Sequence, residues 1–478
     1  MDSILSVGID IGTTTLSMVI SRLSFSNTAV SYMVPQVDIT EKEILYKSRI
    51  YDTPSLDDTH LNGDEIKGII EREYRGAGVT PDMVDSGAVI ITGESLLKEN
   101  ADTLVNQLSS LAGEFVVATA GPDLESMIAG KGSGAEAYSK THSRTVVNLD
   151  IGGGTTNIAA FSCGELMAQA CLDIGGRLLQ YDEKGIITYV SPRLNDLAQE
   201  FGFQIAVGEM TVTPQRLKKM TDIMARALEQ VFWEPVGPLA ELVRTASSKG
   251  LGDFKVLPRI QALSFSGGVG DCYYRKEENP YKYGDLGVSL AQSLRHSSLT
   301  SDYQLIEPVE TIRATVVGAG VYATAVSGST IAYSQELFPI KNIPVLLISQ
   351  AAEQDAFSGN HEKLLEEAAW FQIQTGAETL ILCMKGKERV SYEELRLLAE
   401  GIACGGESLL KEGEPLLILT EHDMAKSLGQ AIGQALGNGR DIVCIDNIKV
   451  SQGDYIDIGK PIMKGIALPV VVKTLIFQ

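Results

Sequence analysis

The chain has 478 residues, about three domains' worth, with 44% hydrophobic residues and 47 glycines. That composition fits a compact α/β protein and excludes a disordered one. Its 40 Lys and Arg stand against 61 Asp and Glu, a net charge of −21, which argues against nucleic acid or an anionic membrane surface as the main partner. Any bound phosphate must then be held locally, by backbone and metal. Met1-Asp2-Ser3 shows neither a basic nor an apolar leader pattern, and no apolar run approaches the roughly 18 residues of a membrane helix. The six cysteines (163, 171, 272, 383, 404, 444) form no CxxC, so a reducing, cytoplasmic setting is expected. The five histidines form no HxxxH or HExxH, which argues against a zinc site.

In chain order, Val7 to Ile11 reads as a strand, Gly12-Thr13-Thr14-Thr15 as a polar tip, and Leu16 to Ile20 as a second strand. Lys42 to Tyr51 predicts another strand. Asp58-Thr59-His60-Leu61-Asn62-Gly63 matches DxHxxG, a loop that in some B12 proteins puts histidine on cobalt. Its flanks are polar and the partner motifs are missing, so a solvated loop before a helix is the better reading. Asp64 to Tyr74 predicts that helix, ending before Gly76 and Gly78. Ala88 to Thr92 reads as a buried strand, and Glu94 to Ala112 as an amphipathic helix.

Val147 to Thr155 echoes the opening hairpin. Asp10 and Asp150 are 140 residues apart, and Ile11/Ile151, Gly12/Gly152 and Thr15/Thr155 keep the same offset. Solenoids repeat at shorter periods and many times, so one echo at this distance predicts two similar lobes. Cys163 and Cys171 read as buried structural thiols. Thr213-Pro214 opens a helix running to about Val231. Ala262 to Ser266 is a short strand entering Gly267-Gly268-Val269-Gly270, and Arg275 to Tyr283 is a charged surface loop.

Gly318-Ala319-Gly320-Val321-Tyr322-Ala323 matches GxGxxA, with Glu336 downstream, but small residues for close helix packing explain it as well as a dinucleotide site. There is no GxxxxGK[ST]. Beyond Tyr333, Pro339 and Pro344 bracket an expected linker. Strands at 345–348, 379–383, 416–420 and 442–445 alternate with helices around 361–375, 391–404 and 422–437, predicting a third, parallel-sheet domain that ends in β and turn at 453–461 and 468–477. The expected domains are 1–140, 141–338 and 339–478.

The two hairpins carry chemistry. Glycine lets backbone approach a ligand, successive N–H groups make an anion nest, and threonine hydroxyls add donors. Asp10 and Asp150, one beside each tip, are the candidate Mg²⁺ ligands. Gly12, Thr13, Thr14 and Thr15, with Gly152, Gly153, Gly154, Thr155 and Thr156, are the candidate phosphate cradle. Gly267, Gly268 and Gly270 would let a nucleoside lie on bare backbone.

In this order the motifs resemble the phosphate 1, phosphate 2 and adenosine motifs of the actin/Hsp70-like ATPase superfamily. Residues 121–130 resemble its first connecting helix and 317–325 its second. The resemblance implies a two-lobed actin-like ATPase with ribonuclease-H-like lobes, here plus a C-terminal α/β domain. It further implies ATP and Mg²⁺ as cofactors, and it puts Glu125 near the metal and the attacking water as a third catalytic candidate. Within the superfamily a small-molecule kinase, a filament former, a general Hsp70-like ATPase and a dedicated reactivating factor compete. A kinase needs a base beside its acceptor hydroxyl, and no convincing segment offers one.

The whole chain most resembles the ethanolamine ammonia-lyase reactivating factors. The stretches that carry this are 7–15, 87–94 (G-A-V-I-I-T-G-E), 146–157, 263–269 (L-S-F-S-G-G-V), 453–462 (G-D-Y-I-D-I-G-K-P-I) and 468–477 (L-P-V-V-V-K-T-L-I-F). The resemblance implies a chaperone-like, slow ATPase that lets damaged cobalamin leave ethanolamine ammonia-lyase so intact adenosylcobalamin can enter. It implies a cytosolic place near or within ethanolamine-utilisation microcompartments. A homo-oligomer is expected, without nucleic-acid or membrane partners.

Overall fold

A computed structural model describes residues 2–13, 15–27, 37–57, 59–92, 95, 98–109, 111, 116–118, 122–202, 204–208, 212–245, 248, 251, 253–254, 257–322, 325–327, 337–376, 379–409, 414–437, 440–450, 452–461 and 468–474. The first sheet contains β1 (Asp2–Ile11), β2 (Thr15–Asn27), β3 (Val37–Lys47), β4 (Tyr51–Asp52), β5 (Ser86–Ile91) and β6 (Val116–Ala118). Their order is β3-β2-β1-β5-β6, with β4 beside β2. β2 runs antiparallel to β1 and β3, while β5 is parallel to β1 and β6 to β5.

The second sheet repeats this plan. β7 (Thr145–Ile151), β8 (Thr156–Ser162) and β9 (Glu165–Leu172) are followed by a separate hairpin, β10 (Leu179–Tyr181) with β11 (Ile187–Val190), and then by β12 (Ala262–Ser266) and β13 (Gln304–Leu305). The sheet order is β13-β12-β7-β8-β9, with β8 antiparallel to both neighbours and β12 and β13 parallel to the central strand. The echo in the sequence is therefore an echo of topology.

Alternation places the cores. Val7, Ile9 and Ile11 on β1 and Leu16, Met18 and Ile20 on β2 bury with Ile66, Ile70 and Tyr74 of helix Gly63–Ala77. In the second lobe Val147, Leu149, Ile151, Ile158 and Ala160 bury with Leu217, Met224 and Leu228 of helix Pro214–Glu229. Thr213 caps that helix as expected, its hydroxyl accepting from Arg216 N–H.

Two helices join the lobes. Pro122–Gly132 packs Gly130 so tightly on β8 that a Cβ there would stand 2.4 Å from the Phe161 ring. Ala314–Tyr322 lies on the first sheet, where a Cβ on Gly8 would stand 2.1 Å from the Val316 carbonyl oxygen. Where the two helices meet, a Cβ on Gly132 would be 1.7 Å from Ala314 O, and one on Gly318 1.9 Å from Ile128 O. Backbone touches backbone, so Gly318 of the GxGxxA stretch serves helix packing, while Gly320 faces β1, where a Cβ would stand 3.4 Å from Ser6 Oγ. No strand runs directly into them, since residues 306–313 between β13 and this helix are loop and turn, and Ala323 lies outside the described residues.

The third sheet has β14 (Ala325–Ser327), β15 (Ile340–Leu347), β16 (Ile381–Met384), β17 (Leu416–Thr420), β18 (Ile442–Asp446), β19 (Asp454–Ile458) and β20 (Leu468–Thr474), in the order β14-β20-β19-β15-β16-β17-β18. Only β15 to β18 are parallel, so the expected parallel sheet is mixed. The expected linker at 339–344 is strand instead. Ile340 to Pro344 pairs with β19 and Val345 to Leu347 with β16. A bulge and the left-handed Asn342, φ 56°, bend β15 between its two partners, and Pro344, which lacks an N–H, sits at the switch. Helices Gln350–Phe357, Glu362–Thr375, Tyr392–Leu409 and Ala425–Leu436 carry the apolar side chains that cover one face. The other face buries Val345, Leu419 and Ile445 against Ile456, Ile458 and Val470 with no helical residue, as expected when a bent strand folds a sheet across itself. From β20, Val471 packs with Ala88, Ile90, Ile128 and Ala319, at the helix crossing.

Some boundaries differ from expectation. Helix 63–77 runs through Gly76 and ends at left-handed Gly78. The helix expected over 94–112 is Ala101–Ser109, because Asn100 is held outside it by side-chain bonds to the Leu61 backbone; Glu94 and Ala112 lie outside the described residues. Cys163 is exposed, not buried, because it forms a turn with Gly164 in which both φ angles are positive (51° and 90°). Among the described residues, no helix is long and apolar enough to cross a membrane.

Candidate functional site

Both hairpin tips close the same way. Ile11 pairs with Leu16 and Ile151 with Thr156. Gly12 N–H donates to Thr15 O at 2.8 Å, and Gly152 N–H to Thr155 O at 2.9 Å. Asp10 and Asp150 thus end the central strands of the two sheets. The structure brings them together, near enough that the charge of Asp150 acts on Asp10.

Burial pushes Asp10 up to about 7; a Thr92 hydroxyl at 3.2 Å opposes this, and the Asp150 charge adds to it. Burial also pushes Asp150 up to about 6, opposed by hydroxyls of Ser266 at 2.5 Å and Thr315 at 3.3 Å. Behind Asp150 lies a buried polar chain. Ser264 donates to Asn148 Oδ1 at 2.7 Å, and Asn148 Nδ2 donates to Ser266 Oγ at 2.9 Å.

Two carboxylates, Asp150 buried and Asp10 half-buried, that repel each other and resist ionisation fit a divalent cation, which would favour their charged forms. Among the described residues no group of three or more His, Cys, Asp and Glu is suited to a metal ion. Mg²⁺ does not require one, because it keeps several waters and takes phosphate oxygens.

The cradle residues divide. A Cβ on Gly154 would meet nothing within 4 Å, nor would one on Gly268, so both glycines border open space. Gly267, φ +79°, would press a Cβ to 2.4 Å from Ile151 O, and its N–H already donates to Thr311 O. A Cβ on Gly270 would meet Phe265 backbone at 2.8 Å. These two glycines seat the start of helix Gly267–Tyr274 against the second hairpin. Thr156 is buried with its hydroxyl donating to Ile174 O, a structural bond. Thr13, Gly153 and Thr155 are half-buried at the tips, and Thr14 lies outside the described residues.

Glu125 is buried in the first turn of helix 122–132. Burial pushes the Cys171 thiol up, and Glu125 adds to that, which places this carboxylate beside β9. Cys171 pairs with Asn157 and Asn157 with Asp150, so β9 lies two strands, about 10 Å, from the aspartate. His60 sits in the loop before helix 63–77. Asp57 accepts from Thr59 N–H, Thr59 hydroxyl and His60 N–H, and these bonds hold its carboxyl down at about 2.

Sequence reasoning missed the residues that hold the tips. Thr53 and Ser95 hydroxyls both donate to Gly12 O, at 2.8 and 3.0 Å. Asp173-Ile174-Gly175-Gly176-Arg177 lies behind the second tip, where Gly176 and Arg177 N–H donate to Gly152 O and Gly153 O. A signal existed, since D-I-G recurs there a third time.

Comparison with known proteins returns a family described as "Ethanolamine utilisation protein EutA", whose pattern matches residues 2–478. The ethanolamine ammonia-lyase reactivase EutA of Salmonella typhimurium strain LT2 is 35% identical over 474 residues, covering 99% of this chain and 98% of that protein. The protein of the same description from Escherichia coli K12 matches at 35% over the same shares. Among solved structures, the PPX-GPPA enzyme of Aquifex aeolicus is 14% identical, covering 67% of this chain and 90% of its own, at a TM-score of 0.36.

Proposed function

The chain belongs to the EutA family, and we propose that it is an ethanolamine ammonia-lyase reactivase driven by Mg²⁺–ATP bound between its two hairpins. The observation that carries the nucleotide part is the meeting of Asp10 and Asp150 at the ends of two like-built sheets, each beside a glycine tip. Asp10 and Asp150 would hold Mg²⁺, whose charge would offset their repulsion and that of a polyphosphate at the tips. Backbone N–H groups of Thr13, Gly153 and Gly154 would take phosphate oxygens, while those of Gly12 and Gly152 close the tips, and Gly268 would border the nucleoside. Glu125, from its place beside β9, acts on water rather than on the metal. The phosphate contacts favour one arrangement of the lobes, and their loss frees the other. The nucleotide shifts lyase binding only by its difference in affinity for the two. Damaged cobalamin leaves the lyase in one of those states. The protein works beside the lyase, at or within the ethanolamine-utilisation microcompartment, as a homo-oligomer.

The test is direct. Cyanocobalamin-inhibited lyase is mixed with the protein and Mg²⁺–ATP, and free cobalamin is measured. Release that needs both protein and nucleotide is expected. Release without nucleotide would remove ATP from the account, and a phosphorylated small product would favour a kinase.

A further inference from the structure

The two phosphate tips are each held from behind through a carbonyl oxygen. In a trans peptide the C=O of one residue and the N–H of the next point in opposite directions. Gly152 O accepts from Gly176 N–H at 2.9 Å, and Gly153 O from Arg177 N–H at 2.7 Å. The N–H groups of Gly153 and Gly154 are therefore turned away from residues 175–177. A Cβ on Gly154 would meet nothing within 4 Å, so the tip borders open space there. In the first lobe Gly12 O accepts from Thr53 Oγ1 at 2.8 Å and Ser95 Oγ at 3.0 Å, which turns Thr13 N–H the other way.

The backing in the second lobe is itself clamped. A Cβ on Gly175 would stand 2.3 Å from Gly153 O, so only glycine lets this segment lie so close. Gly176 O accepts from Leu286 N–H at 2.7 Å. Beside it Asp285 accepts from Gly287 N–H at 2.8 Å and reaches toward Arg177 at 3.7 Å.

We infer that Thr53 and Ser95 in one lobe, and Gly175, Gly176 and Arg177 in the other, are positioning residues that fix the peptide planes of the phosphate tips with their N–H groups facing the cleft. They touch no phosphate themselves. The inference rests on the nucleotide reading of the cleft only for its consequence, while the peptide orientation can be measured without nucleotide.

Two measurements on the full chain test it. Amide hydrogen exchange in the nucleotide-free protein should find Gly176 and Arg177 protected and Gly153 and Gly154 open, the latter two closing when Mg²⁺–ATP is added. Titration of the Thr53→Val/Ser95→Ala double variant should show Mg²⁺–ATP bound roughly three- to tenfold more weakly, with adenosine affinity unchanged. Thr53→Ser with Ser95 intact keeps both hydroxyls and should bind as the native protein does, which a packing role for the Thr53 methyl would not produce. Gly175→Ala should free the Gly176 and Arg177 amides to exchange. If that variant fails to fold, the hydroxyl pair still decides. Rapid exchange at Gly176 and Arg177 in the folded native protein, or unchanged ATP affinity in the double variant, overturns the inference. Slow exchange there with no ATP binding at all would leave the lock standing and defeat the nucleotide reading instead.

Discussion

The two lobes share a strand order and a hairpin geometry yet stabilise their aspartates differently. Asp150 sits in a seam of buried hydroxyl and amide groups and accepts from Ser266 and Thr315. Asp10 accepts from the Thr92 hydroxyl at 3.2 Å, and the repulsion between the two aspartates acts on both. Burial pushes both carboxyls up, and hydrogen bonds to the ionised form oppose it, from Ser266 and Thr315 at Asp150 and from Thr92 at Asp10. The tips differ in the same spirit, with side-chain hydroxyls holding the first and backbone amides the second. A duplicated framework thus fixes strand positions, while the groups that tune charge and peptide orientation have diverged.

The largest effect that would break this comparison is loss of either aspartate. Asp10→Ala and Asp150→Ala should each abolish Mg²⁺–ATP-dependent reactivation while circular dichroism stays native. Full activity in both would remove the cleft from the mechanism. The same pair has a pH signature. Both carboxyls are raised above the unfolded value, so the folded state holds its protons more tightly than the unfolded state does. Their contribution to stability is complete below about pH 4 and is lost as pH rises through 6 and 7. Every tenfold gain in proton affinity on folding is worth on the order of 1.4 kcal/mol. Metal-free protein should therefore lose thermal stability across that window, Asp10→Asn should flatten the loss, and Mg²⁺–ATP should oppose it.

Glycines give the next contrast. Gly132→Ala or Gly318→Ala would drive a methyl into a carbonyl of the facing helix and should destabilise by about 3 kcal/mol or more. Gly154→Ala and Gly268→Ala meet open space and should leave the melting temperature nearly unchanged while weakening Mg²⁺–ATP binding. Equal melting temperatures in all four would mean that the helices do not cross at backbone contact.

Much of this is legible in the residues alone. The D-I-G echo points to the hairpins and their aspartates, because a polar tip between alternating strands has one economical fold. Thr213-Pro214 marks its helix start because cap chemistry is local. What escapes is set by distant partners. Pro344 looks like a breaker in sequence but is tolerated where β15 changes neighbours. That Gly267 and Gly270 are also needed for packing, because Ile151 and Phe265 backbones occupy the space a side chain would take, shows only in the fold. Thr53 and Ser95 carry no motif at all, and only the fold brings them to Gly12 O.

The smallest expected effect concerns His60. A cobalt-binding role would require its imidazole, whereas the turn around it does not. Asp57 takes three of its bonds from Thr59 N–H, the Thr59 hydroxyl and His60 backbone N–H, all of which His60→Ala retains. The ring contributes a hydrogen bond with the Thr59 hydroxyl at 2.8 Å, a contact to Asp57 at 3.2 Å and one to Glu99 at 3.6 Å, all at the exposed surface. Exposed pairs of this kind contribute little. His60→Ala should therefore leave both the melting temperature and cobalamin exchange on the lyase unchanged, monitored by the cobalamin absorbance. A large loss of exchange in a stably folded variant would instead make this loop a cobalamin contact and move part of the chemistry out of the cleft.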